Sequence, residues 1–64
     1  KMGGMEKQIL EIFKRNKGRY LREIVREYNL NYATAHKWYK LFEAEGKIKT
    51  KRLGNLVIIE DVFV

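Results

Sequence analysis

The apolar periodicity of the chain changes once, at Gly46, and that change constrains the fold more than any other feature. Before it, apolar residues recur at helical spacing; after it they alternate as in a strand. Helices grouped ahead of strands read as α+β. With 64 residues there is room for one domain, and a chain this short buries only about 60% of the surface its unfolded form exposes, so stability is narrow.

Three helices are predicted before the break. Met5, Ile9, Ile12 and Phe13, with Leu10 on the flank, mark the first, over residues 5–16. Lys14 and Arg15 lie in its last turn and Gly18 ends it. Residues 1–4, with two adjacent glycines and a lysine ahead of the first methionine, read as a frayed start or a remnant outside the domain. Leu21, Ile24, Val25 and Tyr28 define a second helix over 21–28 that opens without a Ser, Thr, Asp or Asn cap. Asn29-Leu30-Asn31 is a break: asparagine tolerates left-handed backbone angles, Leu30 dips towards the core, and Asn31 caps a third helix over 32–45. With a turn of about 100° per residue, Ala35, Trp38, Tyr39 and Phe42 share one side of that helix, and Ala33, His36, Lys37 and Lys40 the other.

Beyond Gly46, residues 47–52 read as a strand, Leu53-Gly54-Asn55-Leu56 as a two-residue type II′ turn, and residues 56–59 as the returning strand. Alternation sets Lys47, Lys49 and Lys51 on one face and Ile48 and Thr50 on the other. Val57, Ile58 and Ile59 are apolar on both faces, and Val62, Phe63 and Val64 extend the apolar character. Two covers suggest themselves: a second copy, in a homodimer through Val57, Ile59, Val62, Phe63 and Val64, or the tail folding back over the first helix.

Composition excludes several functions. The chain has no cysteine and no serine, one histidine (His36) and one aspartate (Asp61), so disulfides, thiolate metal sites and Ser-His-Asp chemistry are out, and no cofactor is implied. Glu43 and Glu45, two apart on a helix, face different ways and read as solubilising charges rather than an acid-base pair. A non-catalytic protein is expected. No stretch approaches 18 apolar residues, so no membrane role is expected and the protein reads as cytoplasmic. Abundant Lys, Arg, Glu, Ile and Tyr without Cys, Ser or Pro hint at a heat-adapted source. What remains is charge. The net charge is +6, and residues 46–52 hold four bases and no acid, whereas 53–64 hold two acids and no base. Such an imbalance in so small a domain attracts a polyanion.

Ile24 and Val25, the turn at Leu30, the Thr34-Ala35 start of the third helix and the ending FEAEGKI come in an order, with spacings, that resembles the small winged helix-turn-helix DNA-binding proteins common among bacterial and archaeal regulators. The resemblance runs from Gly18 to Ile59, about two thirds of the chain. Members usually carry leucine or isoleucine where Phe42 stands, and a hydroxyl or aspartate cap where the second helix opens bare. The resemblance implies an α+β fold of three helices with a C-terminal β-hairpin wing, and a role in transcriptional regulation on double-stranded DNA. It further implies that Tyr32, Ala33, His36, Lys37 and Lys40 enter the major groove, that Lys49, Lys51 and Arg52 of the wing meet neighbouring phosphates, and that Arg19 and Arg22 reach the backbone across the groove. The alternative is a protein-binding winged helix, or an accessory domain of a larger replication or transcription protein.

Overall fold

A computed structural model describes residues 2–64, with side chains described from residue 4. The expectation for residues 1–4 falls outside the described residues at Lys1, while positions 2–4 form the first turn of α1 (Met2–Arg15). The remaining elements are α2 (Leu21–Glu27), α3 (Tyr32–Ala44), β1 (Ile48–Leu53) and β2 (Leu56–Val62). Three helices followed by an antiparallel hairpin make an α+β architecture, compatible with a winged helix.

Each helix end has a local cause. At the end of α1 the Asn16 side chain donates to the Ile12 carbonyl (2.7 Å) and to the Tyr28 hydroxyl (3.1 Å), satisfying a carbonyl left open by the helix. α2 opens at Tyr20 without a side-chain cap. Its place is fixed instead by burial of Leu21, Ile24 and Val25 and by an antiparallel bridge from Tyr20 to Ile58. α2 and α3 end alike. Asn29 (φ 53°) follows α2 and Gly46 (φ 76°) follows α3, each in the left-handed region. In both, the next amide bonds back into the helix, Leu30 to the Val25 carbonyl and Lys47 to that of Phe42, each at 2.9 Å. This 6→1 bond closes the last turn and needs the left-handed residue before it. Asn31 caps α3 as expected, its Oδ1 accepting from the Thr34 amide at 3.1 Å, an interaction worth about 1 kcal/mol.

The core is built by rings from two helices. Phe42 meets Phe13 of α1 edge-on (centroids 6.1 Å, interplanar angle 87°), and Trp38, half-buried, stacks on Phe42 at 5.6 Å. Tyr39 is buried on the side of α3 that faces the hairpin, and Ile9, Leu21, Ile24 and Ile48 are among the aliphatic side chains of the same core.

The hairpin turns at Gly54-Asn55, where Leu53 pairs Leu56 and only Gly54 has positive φ (61°), as a II′ turn requires. β2 runs three residues past the expected end. Thr50 pairs Ile59 but Lys49 pairs Asp61, so Glu60 is an extra residue on β2. This bulge resets the alternation, and Val57, Ile59 and Val62 all point into the core, at 8%, 0% and 8% exposure. That corrects the expected dimer surface: three of its five residues are the protein's own core. β2 packs on α1, α2 and β1, while Phe63 and Val64 stay exposed and do not cover the first helix as the fold-back alternative expects. The other edge of β2 is also occupied, since the Gly18 amide donates to the Ile59 carbonyl (2.6 Å) and the Ile59 amide to that of Arg19 (3.0 Å). Among the described residues no helix is long and apolar enough to cross a membrane.

Candidate nucleic-acid interface

Helical phase divides α3 as the sequence predicts. Burying Ala35, Tyr39 and Phe42 leaves Ala33, Lys37, Lys40 and Ala44 exposed on the opposite side. Lys37 and Lys40 form no ion pair among the described residues, and Lys40 lies 5.7 Å from the centroid of the Tyr39 ring. A slender ridge with two ammonium groups results. It carries no Arg, Asn or Gln, the side chains that grip a base edge at two points.

Beside the ridge runs a column of rings. Tyr32, 48% exposed, stacks on His36 (6.0 Å, 30°), and the half-buried His36 meets Tyr39 edge-on (5.1 Å, 82°). His36 is therefore set between ridge and core, less open than Lys37 or Lys40.

The hairpin is braced against the same side of α3. Thr50 Oγ1 donates to the Glu43 carboxylate, and Arg52 Nη2 donates to the Tyr39 hydroxyl at 3.4 Å. On a helix turning about 100° per residue, Glu43 lies about a quarter-turn from the ridge and Tyr39 further round on the core side, so the hairpin packs at the border between core and ridge. The Tyr39 hydroxyl holds the Arg52 pKa above its ordinary value. Lys51 is exposed without a carboxylate partner among the described residues, and Lys49, 66% exposed, approaches Glu60 only to 3.9 Å. Lys47 departs from the expected lysine face. It precedes β1 and is held between Glu6 of α1 (3.1 Å) and Glu45 (3.2 Å), which raise its pKa, Glu6 the more.

The two arginines near α2 separate. Arg22 is exposed without a carboxylate partner among the described residues. Arg19 differs: it donates to Asn16 Oδ1 at 2.9 Å, pairs with Glu27 and lies 3.9 Å from Glu23, and the carboxylates raise its pKa, Glu27 the chief cause. Its guanidinium ties the end of α1 to α2, so of the two arginines it is the one with partners inside the protein.

The structure thus brings together Tyr32, Ala33, His36, Lys37 and Lys40 on α3 with Arg52 beside them on the hairpin, sets Lys49 and Lys51 on the strand face opposite Thr50 and Arg52, and gives Arg19 carboxylate partners of its own. It adds residues at the hairpin tip that charge did not reveal: Leu53, 47% exposed, and Asn55, which with Leu56, Val57, Arg22 and Tyr32 line a groove between tip and helices. The available signal was a turn flanked by leucines on both sides. No three His, Asp or Glu side chains among the described residues gather as a metal site would need. The chain matches no protein-family model, no curated protein and no solved structure.

Proposed function

We propose that the protein binds double-stranded DNA without catalysis, as a winged helix regulator of transcription, with α3 in the major groove and the hairpin against the backbone. The observation that carries this reading is the ridge of α3, where Lys37 and Lys40 stand exposed and free of carboxylates among the described residues, with Arg52 of the hairpin held against the same helix. A major groove about 12 Å wide admits a single helix, and the neighbouring phosphates attract the lysines. Ala33 suits a thymine methyl, and Lys37 or Lys40 can donate to guanine O6 and N7 or to phosphate. A ridge without Arg, Asn or Gln favours semi-specific recognition over tight reading of one sequence.

A second reading, a protein-binding module of a larger assembly, draws support from Phe63 and Val64, which are 61% and 56% exposed beside the lysine-rich strand. Salt separates the two. In fluorescence anisotropy with a labelled duplex, log K should fall with log salt by about 0.9 for each phosphate contact. Absence of duplex binding at low salt would favour the protein-binding reading.

A further inference from the structure

The groove at the hairpin tip has a mixed lining. Arg22 and Tyr32 bring a guanidinium and a phenol from the starts of α2 and α3, Asn55 brings an amide from the turn, and Leu53, Leu56 and Val57 form an apolar wall. No carboxylate lines it. Leu53 stands 47% exposed and Tyr32 48%, so both offer surface to a ligand in the groove. The groove therefore lies between the hairpin tip and the amino ends of α2 and α3.

We propose that this groove seats one sugar-phosphate unit of a duplex DNA strand, with Arg22 and Asn55 donating to the phosphate oxygens and the deoxyribose C–H surface lying on Leu53 and Leu56. The inference rests on the DNA-binding reading and gives it a contact that charge alone does not predict. The chemistry matches on both counts. A phosphodiester offers anionic acceptors, which a guanidinium and an amide can meet, and the adjoining sugar is an apolar surface that a leucine covers. The lining continues the proposed interface, because Tyr32 belongs to both.

Arg26 supplies the control. It is exposed on α2, does not line the groove, and carries the same charge as Arg22. Duplex affinity at fixed salt should fall about tenfold for Arg22→Gln and less than about twofold for Arg26→Gln, since a charge-assisted phosphate contact is lost only in the first. Asn55→Asp places a carboxylate on the phosphate and should also weaken binding about tenfold, whereas Asn55→Ala weakens it less. Circular dichroism melts of each variant establish that it is folded. If Arg22→Gln matches Arg26→Gln and Asn55→Asp binds like wild type while Lys37→Ala still loses affinity, the groove is not a backbone seat, although α3 binds DNA. If the wild-type protein binds no duplex at low salt, the inference and the reading beneath it both fall.

Discussion

Arg19 and Arg22 stand three positions apart in the sequence and in opposite settings, the first paired with carboxylates and the second with none among the described residues. Arg19 bridges Asn16, Glu23 and Glu27, so Arg19→Ala should lower the melting temperature and leave duplex affinity near wild type. Lys40→Ala should do the reverse, because its ammonium touches no carboxylate among the described residues. Parallel thermal melts and anisotropy titrations of the two variants check the pair. Core rings sort by burial. Phe42 is fully buried, so Phe42→Ala should cost about 3–5 kcal/mol in a denaturant titration. The half-buried Trp38 should cost less than that when truncated. The two faces of α3 were legible in the sequence because a helix has one period, and Lys37, Lys40, Tyr39 and Phe42 all obey it. The role of Arg19 was not. Its partners Asn16 and Glu27 belong to other segments, and no spacing within one helix reveals a bond between helices.

Glycine positions separate the demands of the elements. Gly46 needs its left-handed φ to close α3, so Gly46→Ala should destabilise the protein by about 1–2 kcal/mol. Gly4 lies inside α1, and a Cβ there meets nothing within 4 Å, so Gly4→Ala should stabilise by up to about 1 kcal/mol. Chemical denaturation of the two variants tests both signs. Lys47 links three elements, with Glu6 of α1 and Glu45 at the end of α3 raising its pKa above the ordinary value of about 10.4. A raised lysine pKa stabilises the fold fully below that ordinary value, and the stabilisation is lost as pH climbs through the folded one. Lys47→Met should therefore melt below wild type at neutral pH and converge with it in strong alkali. The element order, the cap at Asn31 and the turn at Gly54-Asn55 were all legible, each being local chemistry. The extension of β2 was hidden because the bulge at Glu60 breaks the alternation of two that identifies a strand, and only pairing with β1 restores it.

Across the whole molecule the +6 charge is unevenly used. Arg19 and Lys47 are spent on internal ion pairs, with Lys17 pairing Asp61 at 3.6 Å, while Arg22, Lys37, Lys40 and Lys51 keep no carboxylate partner among the described residues. β2 packs on α1 and its end is held at the start of β1, where the Phe63 amide donates to the Lys47 carbonyl (2.9 Å), and the α3 ridge stays open. The docking face proposed for duplex DNA is this ridge together with the neighbouring hairpin. Its most direct test is a ¹H–¹⁵N correlation titration with a short duplex at low salt, which reports the contact residue by residue. Shift changes should concentrate at residues 32–40 and 49–55 and leave the middle of α1 unmoved; changes centred on α1 and Phe63-Val64, or none at all, would contradict it.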